Sequence, residues 1–173
     1  IVRRRLAKVF KYRHAVTASD LARHGKFADR PRLTVAVTGT RGLIGSDLVP
    51  FLTTGGHTVV RLVTGDAAPP FDDGTRWVGW KPDAPPNPAA LEGVDAVIHL
   101  AGDNVAEGRW DDAKKRKIRD SRTVPTRVLA EALAALPAER RPKAFVCASA
   151  VGFYGSRGDE ELTEESAAGT GFF

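Results

Sequence analysis

Leu33-Thr-Val-Ala-Val-Thr-Gly-Thr-Arg-Gly-Leu-Ile-Gly45 leads into a helical run to Thr54, then Gly55-Gly56, then His57-Thr-Val-Val-Arg61. The order reads as strand, glycine turn, helix, turn, strand. Leu33, Val35 and Val37, with small or β-branched residues between them, suit a parallel strand covered on both faces. Gly39 allows a tight exit from that strand. Gly42 lets backbone approach a diphosphate with no Cβ in the way, and Gly45 lets the helix sit close on the sheet. The helix N-terminus adds unpaired N–H groups and a partial positive charge. Three glycines at this spacing are weak evidence alone, but the strand before and the helix after supply the context the pattern needs. No Gly-Lys-Ser/Thr follows, so a mononucleotide P-loop is not indicated.

Outward from this unit, strands are expected over 75–80, 95–100 and 143–149, and a short helix over 89–91. The loops expected over 65–74 and 82–88 are rich in Gly, Asp, Pro and Ala. A long helical stretch, 110–136, is expected in two pieces meeting near 120–125. Strands alternating with helices predict a parallel sheet between two helical layers, with strand order 3-2-1-4-5. In the helix over 43–54, Leu43, Ile44, Leu48, Phe51 and Leu52 form the expected buried stripe. Pro50 inside it is a local conflict.

Residues 1–32 are the most basic part: Arg3, Arg4, Arg5, Lys8, Lys11, Arg13 and His14 flank Leu6, Val9 and Phe10 at helical spacing. A short amphipathic helix is expected, with further helix from Ala18 and a break at Asp29-Arg30-Pro31. It reads as a connector packing one stripe on a neighbour. A nucleic-acid contact has no aromatic interleaving to support it.

A hydrophobic fraction of 42% supports a real core, and no apolar run nears the ~20 residues of a membrane span. The single cysteine, Cys147, rules out an internal disulfide and fits a reducing cytoplasm, the expected compartment. The chain holds no methionine and starts at Ile1, so it is expected to be part of something longer.

Thr38-Gly39-Thr40-Arg41-Gly42-Leu43-Ile44-Gly45, then His99-Leu100-Ala101-Gly102, then Ser149-Ala150-Val151-Gly152-Phe153-Tyr154-Gly155 occur in that order. So do Arg109-Trp110, Lys115, Ile118, Ser121-Arg122 and Thr126. Together these motifs resemble the extended short-chain dehydrogenase/reductase superfamily, over about residues 33–173. The nearest likeness is its atypical branch of NAD-dependent epimerase/dehydratase-like proteins, also called cell-division-inhibitor-like epimerases. The resemblance implies a Rossmann-like, doubly wound α/β fold in three αβα layers, incomplete at the C-terminus, with 33–173 its N-terminal part. Loss of a sixth strand would leave apolar surface on one edge. Phe10-Lys-Tyr-Arg-His14 and Asp20-Leu21 resemble the connector of longer relatives, in which a lipid-binding-like START domain comes first.

The resemblance also implies site residues. Gly39, Thr40, Arg41, Gly42, Leu43, Ile44 and Gly45 would contact a dinucleotide, as would Leu100, Ala101 and Gly102. Arg122 and Lys115 would reach it from the long helix. For Lys114 and Lys117 a solvated helix face is the better expectation. Ser149 takes the position of the superfamily's strand-end serine, which orients the substrate oxygen. Tyr154 lines the substrate side. The superfamily's acid/base pair, Tyr-x-x-x-Lys, is not supplied by Tyr12 or Tyr154, which are followed four residues on by Val16 and Gly158. The expected site contains no metal. The implied partners are a small-molecule substrate and a second copy bound through 110–136.

An NAD site wants a carboxylate closing the second strand, for the ribose 2′-hydroxyl. Here Val63-Thr64 stands there, where the branch often has arginine at the position of Thr64. No Asp or Glu lies between Asp47 and Asp66. Arg41 and Arg61 remain as candidate partners for a 2′-phosphate, Arg61 alternatively pointing to solvent. NADP is therefore expected ahead of NAD. Two functions follow: redox or epimerase chemistry on a small carbonyl or sugar-nucleotide-like substrate, or a dinucleotide sensor without turnover.

Overall fold

The computed structural model describes residues 2–65 and 73–172; residues 66–72 of the loop expected over 65–74 lie outside them. In chain order, helix α1 (Val2–Gly25) precedes strand β1 (Thr34–Thr38), helix α2 (Leu43–Thr54) and strand β2 (Thr58–Val63). Strands β3 (Arg76–Gly79) and β4 (Ala96–His99) follow, then helix α3 (Asp112–Ala134) and strand β5 (Ala144–Cys147). Short 3₁₀ turns span Pro88–Ala90, Ala138–Arg140 and Val151–Tyr154. The five strands form one parallel sheet ordered β3-β2-β1-β4-β5, as the alternation of elements predicts.

β1 is central because its residues are apolar on both sides. Val35 and Val37 pack with Val49 of α2 and Val59; Ala36 faces the other way, toward Val60, Leu62, Leu129 and Leu133. Helices thus cover both faces of the sheet. β1 and β4 stay paired to Thr38 and His99, but the chain leaves β1 toward α2 on one face and β4 toward α3 on the other, and these parting connections leave a crevice.

One buried hydroxyl ties this divergence together. Thr38 Oγ1 accepts the N–H groups of Leu100 and Ala101, each at 3.1 Å, and lies 2.7 Å from His99 Nδ1. Two accepted bonds leave its O–H to donate to Nδ1, which places the His99 proton on Nε2. Nε2 is buried without a hydrogen-bond partner among the described residues, and the rings of Trp80 and Phe145 pack near the imidazole. Burial pushes the His99 imidazole below its ordinary pKa, so it is held neutral.

Several local expectations are corrected. The basic N-terminal segment is one continuous 24-residue helix with no buried residue, not a short helix with a second piece. Leu6, Val9 and Phe10 are exposed and make no packed stripe. α1 is held at its end instead: His24 stacks on Phe51 at 4.3 Å and its Nε2 lies 2.9 Å from the Phe51 carbonyl. In α2 the side chains of Leu43 and Ile44 are 88% and 61% exposed, so the inward face is Gly45, Leu48, Val49 and Leu52. α3 is a single helix through Pro125. The short helix expected over 89–91 is a 3₁₀ turn starting one residue earlier.

An interior proline costs about 3 kcal/mol when the carbonyl four residues earlier loses its donor. Pro50 lies on the exposed side of α2, where water can replace that donor, so the helix continues. Pro125 is buried.

Candidate dinucleotide cleft

The crevice opens beside the turn Gly39–Gly42 and holds about 560 Å³. Gly39, Thr40, Arg41, Gly42, Thr64, Leu100, Ala101 and Gly102 all line it, as the sequence motifs imply. Gly39 has φ +69°, and a Cβ there would come within 2.7 Å of the Leu100 carbonyl carbon. No side chain fits. Gly45 is just as constrained: a Cβ would fall 2.2 Å from the Gly39 carbonyl oxygen and 2.7 Å from Thr40 Cα. The close approach at Gly45 is thus to the turn itself, in addition to the sheet. At Gly42 a Cβ would meet only the Gly39 carbonyl, at 3.2 Å, and beyond it the space is open.

α2 begins at this opening with no side-chain cap. The Gly42 N–H is used by the Gly39 carbonyl, at 3.0 Å. The N–H groups of Leu43 and Ile44, in the first helical turn, have no intrahelical acceptor. Their side chains point away from the cleft, into a groove against α1, so only their backbone is placed to meet a ligand. Thr40 Oγ1 is buried with no partner among the described residues. A buried hydroxyl without a partner costs about 1–3 kcal/mol. A diphosphate oxygen would satisfy it, so the residues present fit such a group.

The far wall comes from α3 and the strand preceding it. Asp103 accepts from Lys114 at 2.5 Å and from Lys117 at 2.9 Å. Lys114 is therefore largely buried in this pair, which corrects the expectation of a solvated face for it, whereas Lys117 keeps an exposed side chain while reaching the same carboxylate. Hydrogen bonds and charge from both hold the Asp103 carboxyl below the usual carboxylate range, and the hydrogen bond to Asp103 and its charge push Lys117 up. Lys117, Ser121 and Pro125 line the cleft, while Lys115 is half-buried and does not. Arg122 donates to the carbonyls of Ile118 and Asp103, at 2.9 and 3.2 Å, and closes over Gly102.

Arg61 does not line the cleft. Its guanidinium lies on the opposite face of β2, bonded to Asp73 at 2.6 Å and Thr75 at 2.9 Å and stacked over Trp77. Burial pushes Asp73 up, but hydrogen bonds from Thr75 and Trp77 and the Arg61 charge outweigh it and hold its carboxyl low. The arginine is thus committed to anchoring the start of β3. That corrects both earlier readings, phosphate partner and solvent-facing side chain. Arg41 lies on the cleft side, its guanidinium 5.4 Å from the same Trp77 ring.

A second cavity of about 590 Å³ continues from the first across Leu100, Ala101 and Gly102. It is lined by Cys147, Ser149, Gly152 and Phe153 on one side and by Arg122 and Thr126 on the other. Ser149 is exposed at its edge. Tyr154 is half-buried beside it and does not line it. Burial raises the Cys147 thiol pKa, so it is a poor nucleophile at neutral pH.

Residues 35–171 match the NAD dependent epimerase/dehydratase family. The chain belongs to that family. Epimerase family protein Mb2239 of Mycobacterium bovis is 41% identical over 139 residues, which cover 80% of this chain and 43% of the relative. Human epimerase family protein SDR39U1 is 30% identical over 139 residues, again 43% of its length. The chain thus spans less than half of the relatives it matches. Among solved structures, human SDR39U1 with NADPH superposes with a TM-score of 0.64 at 26% identity, covering 79% of this chain and 43% of that one. MoeE5 in complex with UDP-glucuronic acid and NAD gives 0.62 at 26% identity, covering 78% and 42%. Both of these solved structures hold a nicotinamide dinucleotide. Among the described residues no helix is long and apolar enough to cross a membrane, and no cluster could hold a metal ion.

Sequence reasoning did not single out Trp80, Asp103 or Pro125 for the site. Only Pro125 carried a signal, a proline inside a helical pattern.

Proposed function

We propose that this chain is the dinucleotide-binding part of an NADP-dependent oxidoreductase or epimerase acting on a small carbonyl or sugar-nucleotide-like substrate. The observation that carries the reading is the buried Thr40 hydroxyl, without a partner among the described residues, beside the start of α2, which has no side-chain cap. Both would meet diphosphate oxygens, together with the backbone of Leu43 and Ile44. Bound there, the cofactor supplies hydride acceptance or donation at its nicotinamide ring. The chain's own residues bind and orient it. Leu100–Gly102 form the floor between the two cavities, fixed by Thr38, and Arg122 holds that floor against α3.

The nicotinamide half would enter the second cavity, where the Ser149 hydroxyl orients a substrate oxygen. NADP is favoured over NAD because β2 ends in Val63-Thr64, with no carboxylate to bind a ribose 2′-hydroxyl. Arg41 on the rim offers charge to a 2′-phosphate. The human relative was solved with NADPH and MoeE5 with NAD, so the choice rests on these residues. Fluorescence titration of the chain with NADPH and NADH tests it. NADPH should bind more tightly, and Arg41→Ala should narrow the difference. Equal affinities in the unmodified chain contradict the NADP assignment.

A further inference from the structure

A third cavity, of about 610 Å³, lies at the opposite end of the sheet from the glycine turn, where Leu33 and His57 lead into β1 and β2. Arg23 and His24 reach it from the last turn of α1, and Lys26, Arg30 and Arg32 from the connector. Its floor is apolar and rich in rings: Phe27, Leu33, Phe51 and Leu52. Four fixed cations thus surround an apolar floor. Among the described residues no carboxylate lines it, and neighbouring Asp29 pairs with Arg30 at 3.9 Å in solvent. We propose that this cavity binds a small aromatic carboxylate, its ring on the Phe51 floor and its charge among Arg32, Lys26 and the His57 imidazole.

The basic groups here are set in place by backbone. His24 stacks on Phe51 and sits against Gly55, where a Cβ would come within 2.3 Å of its Cε1. The Arg32 stem runs over Gly56, its Nε 3.4 Å from where a Cβ would stand. The half-buried His57 ring receives the Leu33 N–H on Nδ1 at 3.0 Å, so in the neutral ring the proton sits on Nε2 as a donor. The two imidazoles are 6.1 Å apart. Burial, then the charges of Arg32 and His24, hold His57 below its ordinary pKa. Like charges gathered in this way repel one another, and a bound anion relieves that repulsion. A guanidinium fork matches a carboxylate, and the phenylalanine floor suits a flat ring. Because Arg23 and His24 belong to α1 and His57 to the sheet, an occupied site ties the helix to the domain.

The test titrates benzoate into the chain and follows the ring C–H resonances of His24 and His57. Acetate, which lacks the ring, and benzyl alcohol, which lacks the charge, serve as controls. Benzoate should move both histidines saturably and leave the amides of Thr40 to Ile44 in place. Each control should bind at least about tenfold more weakly. Arg32→Ala, a change at an exposed side chain, should weaken benzoate about tenfold, the worth of one charge-assisted hydrogen bond. Bound benzoate should also raise the pH at which His57 takes up its proton, because a nearby anion favours the charged ring. The proposal is overturned by histidine resonances that do not saturate, by a control that binds as well as benzoate, or by an Arg32→Ala variant of full affinity. A His57 titration that benzoate leaves unmoved overturns it equally.

Discussion

The glycine turn and the end of β5 lie on the same edge of one sheet, yet they are built differently. At the turn, backbone packs so tightly that Gly39 and Gly45 admit no Cβ, and the central residues Ala36 and Val37 are fully buried. At the end of β5, Val146 is 53% exposed and Ser149 and Val151 lie open. The first region is finished by contacts within the turn and with Leu100 and Ala101 at the exit of β4. The second presents groups that nothing in these residues fixes. The difference teaches how far each region is built by the residues present: the glycine cradle is closed by packed backbone, while the end of β5 is left open.

The contrast breaks most readily at Gly45. A Gly45→Ala side chain must displace the Gly39 carbonyl or Thr40, and overpacking of this kind costs about 1–3 kcal/mol. Dinucleotide affinity should fall about 100-fold by titration, with a lowered melting temperature. Next in size is Thr38→Val, which strands the N–H groups of Leu100 and Ala101 and the His99 ring. About 3 kcal/mol should be lost in urea denaturation. Arg61→Ala leaves the Asp73 carboxylate largely buried without its cation, and should cost about 2 kcal/mol of stability while changing dinucleotide affinity less than about twofold. An unchanged urea midpoint would contradict the anchoring role.

Acid gives a smaller effect with a defined sign. The fold favours neutral His99, so its contribution is complete above the ordinary value near 6.5. As pH falls through that value the unfolded chain takes up a proton that the folded chain refuses, and stability declines. His57, also held low by burial and by the charges of Arg32 and His24, adds in the same direction. Asp73 and Asp103 are held low as carboxylates, so their contributions are lost only at more acid pH. A urea midpoint flat between about pH 7.5 and 5.5 would contradict a buried neutral imidazole. The smallest effect belongs to the open end: Ser149→Ala should leave dinucleotide affinity within about twofold, since Ser149 lies exposed in the second cavity, apart from the glycine turn.

The sheet order and the glycine cradle were legible because both depend on short-range pattern: alternating apolar strands, and glycines at fixed distances from a helix start. The misreadings share a different cause. Leu43 and Ile44 fit an apolar helical stripe by spacing, but they lie in the first turn of α2 and face the groove against α1, away from the sheet. Lys114 looks like surface charge until Asp103, brought up by the β4 exit, draws it into a largely buried pair. Arg61 has its partner in Asp73, beyond a loop whose closure no local pattern announces. Pro125 reads as a helix break in sequence, whereas burial against the sheet holds the helix through it.

The central claim is that backbone at the mouth of α2 holds a diphosphate, and amide chemical shifts test it most directly. In a ¹⁵N-labelled chain, NADPH should move the resonances of Thr40 through Ile44 most, with Leu100 to Gly102 following. Inorganic pyrophosphate should move the first group alone. Unmoved resonances for Thr40 through Ile44, with binding seen elsewhere, would contradict the account.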